Sequence, residues 1–252
     1  MFKVTMAEPV RNGQIEVKPN LEGTGIIVNG VPVNYELIVH SRERVDICKD
    51  RRIIYLIEHH VAALTLAGIT DAQIVSHRRN WDFYRPEDRS AYSTGSTPDT
   101  VLGDPAGVIG RSLVESLMRA PKVALNIQQD YLKPNSAFEI THKDYGYIKI
   151  APLTYKEGLV IDLNFYGSKL YAHFKIEPPH LPRSLICRIS EAVTPFLAGS
   201  CKKAIYHVIG DLIGDLIGIG KIFNAEVKAD LRGSYHYLTI HLIKKIRGSI
   251  RL

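Results

Sequence analysis

Phe138-Glu-Ile-Thr-His142, Tyr147-Ile-Lys-Ile150, Leu159-Val-Ile-Asp-Leu-Asn-Phe165 and Tyr171-Ala-His-Phe-Lys-Ile176 follow one another, separated by turns that contain glycine and proline. Alternation of apolar and polar residues reads each run as a half-buried strand. Helical spacing then takes over at about 183–198 and 201–219, and a further strand begins at Glu226. Strands before helices is the order of an α+β domain, in which the helices gather on one face of the sheet. A short basic segment with Lys244, Lys245, Arg247 and Arg251 closes the chain.

The first half has the same order. Gln14-Ile-Glu-Val-Lys18 alternates, Thr24 to Val33 reads as a hairpin turning at Asn29-Gly30, and Tyr35-Glu-Leu-Ile-Val39 is another strand. A helix is expected from Ile57 to a stop at Gly68, then a strand at Ala72-Gln-Ile-Val75 and an amphipathic helix over Val108–Met118. The polar stretch between them, His77 to Asp104 with Trp81, reads as a loop of a length that goes with function or disorder. Pro121 ends the last helix and sets a boundary before Asn135. The expectation is two α+β domains, residues 1–125 and 126–252, with too little identity between them to read as a repeat.

Composition narrows the function. At 252 residues, 45% hydrophobic and 23% charged, the chain matches a soluble globular protein. No apolar run approaches the roughly 18 residues of a membrane span, so no transmembrane segment is expected. The start lacks an apolar signal core, so no signal peptide is expected either. Cys48, Cys187 and Cys201 have no paired spacing, which excludes a disulfide framework and a thiolate zinc site. These features read as cytoplasmic. The formal charge is +6; residues 1–125 hold 15 basic and 15 acidic side chains, residues 126–252 hold 17 and 11. The excess favours an anionic partner for the second half. No nucleic-acid-binding pattern accompanies the basic tail, so nucleic acid is not the expected partner.

Three local patterns carry chemistry. His207-Val-Ile-Gly-Asp211 puts an imidazole and a carboxylate one helical turn apart, where both can reach one ion; the alternative is a capped or solvent-facing pair. Asp215 lies a further turn along, and a row of buried acids needs partners. Glu58-His59-His60 opens the first helix, where adjacent side chains diverge by about 100°, so one can bind a metal while its neighbour stays beside it as a base. Two surface histidines are the plain alternative. His236, in Gly233-Ser-Tyr-His236-Tyr, follows a strand.

Jointly these segments resemble the zinc-dependent UDP-3-O-acyl-N-acetylglucosamine deacetylases (LpxC) of lipid A synthesis. Ile57-Glu-His59-His-Val-Ala-Ala-Leu64 is similar to the family's V-E-H-L-x-A-A-L. His207-Val-Ile-Gly-Asp211-Leu-Ile-Gly-Asp215-Leu resembles H-K-x-L-D-x-x-G-D-L, and Gly233-Ser-Tyr-His236-Tyr-Leu resembles S-G-H-x-L-N. Ala192-Val-Thr194-Pro-Phe196 is similar to A-R-T-F-G-F, and Val101-Leu-Gly-Asp104-Pro-Ala-Gly more faintly to P-I-x-D-G-S-A. The resemblance implies two α+β domains of the ribosomal S5 domain 2-like superfamily, with helices packed between the two sheets. It makes His59, His207 and Asp211 the zinc ligands, a set that leaves a fourth position for water. Glu58 would be the general base, His236 the cationic acid oriented by Asp215, and Thr194 an oxyanion donor.

Two departures bear on substrate. Thr194 and His207 are 13 positions apart, which leaves no room for the inserted β-α-β unit that forms the family's acyl-chain passage. Val208 stands where the family has a lysine associated with substrate phosphates, so phosphate charge would be met from elsewhere, with Lys202, Lys203 and Lys221 as candidates. The expectation is a zinc-dependent deacetylase of an N-acetylated amino sugar or related amide, with a small anionic or nucleotide-sugar substrate. The alternatives are a minimal true UDP-3-O-acyl-GlcNAc deacetylase and a non-catalytic binding protein on the same fold.

Overall fold

The computed structural model describes residues 2–13, 15–42, 44–50, 52–76, 98–101, 110–154, 157–175, 182–192 and 200–250. Its first half opens with β1 (Phe2–Met6), β2 (Val10–Asn12), β3 (Ile15–Pro19), β4 (Ile26–Val28), β5 (Val31–Pro32), β6 (Ile38–His40), β7 (Asp46–Lys49) and β8 (Arg52–Tyr55). Helix α1 (Glu58–Leu66) leads into β9 (Ala72–Ser76), and β10 (Pro98–Val101), α2 (Arg111–Arg119) and β11 (Lys122–Gln128) follow. Next come β12 (Phe138–His142), β13 (Gly146–Pro152), β14 (Leu159–Phe165), β15 (Ser168–Phe174), α3 (Arg183–Glu191) and α4 (Cys201–Ile213). Helix α4 runs on as a π-helical turn over Gly214–Ile219, and β16 (Ala225–Leu231) and α5 (Tyr235–Ile250) end the chain. The architecture is mixed α+β.

The two five-stranded sheets have one topology. Their strand orders are β2-β3-β9-β4-β5 and β12-β13-β16-β14-β15. In each, the last strand in the sequence enters the middle, antiparallel to the second strand and parallel to the third. Registers agree as well: Ala72 lies between Pro19 and Ile26, and Ala225 between Pro152 and Leu159. Even the clamp that starts the third strand recurs. Gly25 N–H donates to Asp71 Oδ1 at 2.7 Å, and Gly158 N–H donates to Asn224 Oδ1 at 3.0 Å. The hairpin turns match too: Asn29-Gly30 has φ of 45° and 83°, Tyr166-Gly167 has 46° and 83°. Both dipeptides supply the left-handed pair that a tight hairpin turn requires. The chain is thus an internal repeat in topology.

In this repeat α1 and α4 are equivalent, each being the helix that feeds the fifth strand. All nine residues of α1 are buried, Glu58, His59, His60 and Thr65 among them, so its polar side chains must be met inside the fold. Glycines of the α4 extension let it approach. A Cβ on Gly214 would lie 3.0 Å from Ala62 Cβ, and one on Gly218 would meet Val61 Cγ1 far inside van der Waals contact. The remaining sheets are smaller. The order β10-β8-β7-β6 forms one, and β1 pairs with β11 across more than a hundred residues of chain.

Several sequence expectations need correction. The basic C-terminal segment is the long helix α5. Leu238, Leu242, Ile243 and Ile246 bury one face, while Lys244 and Lys245 lie on the exposed one. His236 therefore sits in the first turn of a helix. Tyr35–Leu37 is a 3₁₀ turn capped by Asn34, and only from Ile38 does the backbone extend. Within the supposed 77–104 loop, Pro98–Val101 forms β10 beside β8; Trp81 and Asp104 lie outside the described residues. The helix expected over Val108–Met118 spans Arg111–Arg119. That expected over 183–198 ends at Glu191, where Ala192 turns extended. Among the described residues no helix is long and apolar enough to cross a membrane, and the three cysteines are free.

Candidate metal centre

Helix α1 begins on the two residues that matter most. Glu58 and His59 open its first turn, 1% and 3% exposed. His207 and Asp211 lie one turn apart on α4, and Asp215 sits another turn on, in the π-helical extension; all three are buried. π-Helical turns are concentrated at functional sites. Tyr235 and His236 enter from the first turn of α5, and Thr239 from the next. Of the expected site residues, Glu58, His59, His207, Asp211, Asp215 and His236 come together. Thr194 lies outside the described residues.

Ligand atoms of His59, His207 and Asp211 all fall within 4.8 Å of one another. His207 Nε2 is 3.0 Å from Asp211 Oδ2, His59 Nε2 is 3.8 Å from Asp211 Oδ1, and the imidazoles meet edge to face at 4.9 Å. Protons test whether a metal fits. His207 Nδ1 lies 3.2 Å from Ala192 O. A carbonyl only accepts, so Nδ1 carries the proton. A neutral His207 then turns an Nε2 lone pair toward a carboxylate oxygen, which is repulsive unless a cation lies between. His59 Nδ1 and Asp211 Oδ1 are buried without a partner, where an unpaired polar group is costly. Burial pushes the His59 imidazole down to about 3, against the pull of Asp211, which leaves it neutral. Two imidazoles and one carboxylate on adjoining helices, with the unpartnered Asp211 Oδ1 turned toward His59 Nε2, form a group that could hold a metal ion.

The neighbouring groups are also paired. Burial opposes charge on His236, but Asp215 and Asp211 outweigh it and hold the imidazole well above its usual range. Its Nδ1–H donates to Asp215 Oδ2 at 2.8 Å, and Thr239 Oγ1 donates to the same oxygen at 2.7 Å. Burial likewise opposes charge on Asp211, yet His207, when it carries a second proton at Nε2 in place of a cation, and His236 keep its carboxyl well below the usual range. Glu58 is pushed up to about 8, first by burial and also by the Asp211 charge, with His236 opposing. Its Oε2 accepts from the Val45 amide at 2.9 Å, which fixes the carboxyl at the head of α1. The arrangement can therefore hold a cation, offer an imidazolium as acid and offer Glu58 as base in its ionised form, which a cation beside it would favour.

Sequence reasoning missed Tyr235 and Thr239. Tyr235 OH donates to Asp211 Oδ2 at 2.6 Å, and burial followed by the Asp211 charge keeps the phenol protonated. The available signal was the spacing Tyr235-His236-Thr239, which is legible only once α5 is known to be a helix. Lys221, a candidate for meeting substrate phosphate, lies beside Thr65, Gly68 and Thr70. That is the C-terminal end of α1, opposite to His59, so Lys221 does not serve this centre. Lys202 and Lys203 are exposed on the first turn of α4.

No protein-family model matches the chain, and no curated protein matches it in sequence.

Proposed function

We propose that the chain is a zinc-dependent amidohydrolase of the LpxC-like type, removing the acetyl group from an N-acetylated amino sugar or related amide. The observation that carries this is the buried His59–His207–Asp211 group, with Glu58 adjoining one ligand and the His236–Asp215 pair facing another. Paired sheets of one topology agree with the two-domain fold the resemblance implies. Two nitrogens and one oxygen suit zinc, which accepts this mixed set in hydrolytic sites. When bound, zinc would supply Lewis acidity to the amide carbonyl and acidify water.

The chain's own residues supply the proton transfers. Glu58, held by the Val45 amide, takes the proton of the attacking water. His236, charged and held at Nδ1 by Asp215, gives the Nε2 proton to the leaving amine. Asp215 sets which nitrogen faces the reaction, because its oxygen occupies Nδ1. Thr194 is the expected oxyanion donor. The short link from Thr194 to His207 leaves no acyl passage of the usual kind, so a small substrate is favoured, with the basic second half attracting an anionic one.

The test joins metal analysis to activity. Purified protein should hold about one zinc per chain, and His207→Ala should abolish it. Glu58→Gln should keep zinc yet lose amide hydrolysis by about 10²–10⁴-fold, measured on a panel of N-acetyl sugars and nucleotide sugars. A wild type that takes up no metal, or an undiminished Glu58→Gln, sinks the proposal. A strict need for a long 3-O-acyl chain would instead favour the lipid A deacetylase.

A further inference from the structure

We infer that Tyr235 is the positioning residue for the metal-ligating carboxylate: its hydroxyl, by donating to Asp211 Oδ2, holds Asp211 in the orientation that presents it beside His59 and His207. This rests on reading those three residues as a metal site.

Asp211 Oδ2 has three polar neighbours: Tyr235 OH at 2.6 Å, His207 Nε2 at 3.0 Å and His236 Nε2 at 3.5 Å. Their availability differs. His207 Nδ1 carries its proton toward Ala192 O, so an Nε2 that gives its lone pair to a metal has no proton for Asp211. His236 is tied to Asp215 at 2.8 Å and stands half an ångström further off than His207. Tyr235 is left as the short, committed donor. Hydrogen bonds to an ionised acceptor are about twice as strong as neutral ones.

The phenol is itself aimed by the fold. Tyr235 is 5% exposed, and its ring meets Phe165 edge-on, with centroids 6.3 Å apart at 87°. Phe165 ends β14 and is 1% exposed, so a rigid sheet residue backs the ring. On the other side the Tyr235 amide donates to Gly233 O at 2.7 Å, in a turn where Gly233 has φ of 67°. Strand, turn and helix thus converge on the placement of one hydroxyl. Groups that hydrogen-bond a metal ligand from behind fix its orientation, and their loss weakens metal binding by about 10- to 100-fold.

Tyr235→Phe removes the hydroxyl and keeps the ring. Zinc affinity of the wild-type and variant chains would be measured by competition with a chromophoric chelator, and cobalt-loaded samples compared by visible absorption. The expected result is a zinc dissociation constant about 10- to 100-fold weaker in Tyr235→Phe, with an altered cobalt spectrum. A buried phenol that is merely satisfied would change the unfolding midpoint but leave both metal readouts unmoved, and equal zinc affinity in the two folded chains overturns the inference alone. A wild type that binds no zinc overturns the metal site and the inference with it. Should Tyr235→Phe not fold, Phe165→Leu keeps the hydroxyl and loosens its backing. Weaker zinc binding there supports the inference, and unchanged binding overturns it.

Discussion

Gly218→Ala tests the packing that brings the two halves of the candidate metal centre together. Gly218 lies in the π-helical extension of α4, and an added Cβ would meet Val61 Cγ1 far inside contact distance and Thr65 Oγ1 at 2.8 Å. Neither neighbour yields easily. Val61 is 1% exposed and β-branched, so its side chain has few alternative rotamers, and Thr65 Oγ1 already donates to Val61 O at 2.8 Å. Carbon pairs are most stable at about 3.5–4.0 Å, so relief requires α1 and the extension to part by about 1 Å. An overlap this severe lies in the upper part of the overpacking range, at about 2–3 kcal/mol. Replacing a helical glycine returns up to about 1 kcal/mol through the unfolded chain, which leaves a net loss of about 1–2 kcal/mol. With a urea m-value of about 3 kcal/mol/M, the midpoint falls by about 0.3–0.7 M. Because His59 lies two residues before Val61, parting the helices also draws it away from His207 and Asp211, and if these hold zinc as proposed, zinc affinity should fall as well. Gly248→Ala is the control: in α5 nothing lies within 4 Å of its Cβ, so stability should rise by about 0.5–1 kcal/mol. A Gly218→Ala chain as stable as wild type, with equal zinc affinity, would refute the close-contact argument.

Two further positions probe the fold away from the centre. Burial pushes the Lys221 ammonium down to about 8 from an ordinary 10.5, with Asp71 opposing. Between those values the unfolded chain binds more protons than the folded one, so stability rises with pH through that window. Lys221→Met should raise stability at pH 7 by about 1–2 kcal/mol and flatten the rise in thermal midpoint between pH 8 and 10. An unchanged slope would show that Lys221 is well solvated. Asn224 has φ of 52°, and its side chain accepts from the Gly158 amide at 3.0 Å, the role Asp71 has toward Gly25. Asn224→Ala should lose about 2–3 kcal/mol by denaturant titration, from the hydrogen bond and the left-handed backbone together. Asn224→Asp, which restores the Asp71 arrangement, should stay within about 0.5–1 kcal/mol of wild type; equal losses in the two variants would break the proposed equivalence.

What the sequence revealed depended on how local the controlling interaction was. The Asn29-Gly30 hairpin was legible because its turn needs two left-handed residues. Strands β13, β15 and β16 were legible because their burial alternates with period two over seven residues. The pairing of His207 with Asp211 followed from a spacing of four on one helix. The repeat was not legible: Pro19 and Pro152 are 133 residues apart, whereas Ala72 and Ala225 are 153 apart. No single offset aligns the halves, because each carries different material before its fifth strand. Helix α5 was obscured by Lys244, Lys245 and Arg247, although the lysines lie on the exposed side of a regular apolar stripe and Arg247 is half-buried against Gly220 O. Pairing of β1 with β11 had no local signal, since six of the seven β11 residues are exposed. Tyr235 and Thr239 were missed for a tertiary reason: their meaning depends on how α5 approaches α4.

The repeat also accounts for the position of the centre. Equivalent helices α1 and α4 meet through small residues, Ala62 against Gly214 and Val61 against Gly218. That leaves the side chains one to two turns before the contact facing a common space from both helices. A symmetric pair would bring like groups to that space, and like charges buried together are costly. The chain instead divides the chemistry. Helix α1 brings one carboxyl and one neutral imidazole, while α4 and its extension bring one imidazole and two carboxylates. The surplus of acid on the second helix is met by α5, which starts four residues after β16 and is held close to the sheet by that short link. Its first two turns deliver an imidazolium, a phenol and a hydroxyl, and each donates to an oxygen of Asp211 or Asp215. Asp211 Oδ1 and Asp215 Oδ1 nevertheless stay without hydrogen-bond partners among the described residues. Donors from α5 thus satisfy one oxygen of each carboxylate, and at Asp211 the remaining lone pairs lie toward His59, where a metal ion could complete the balance.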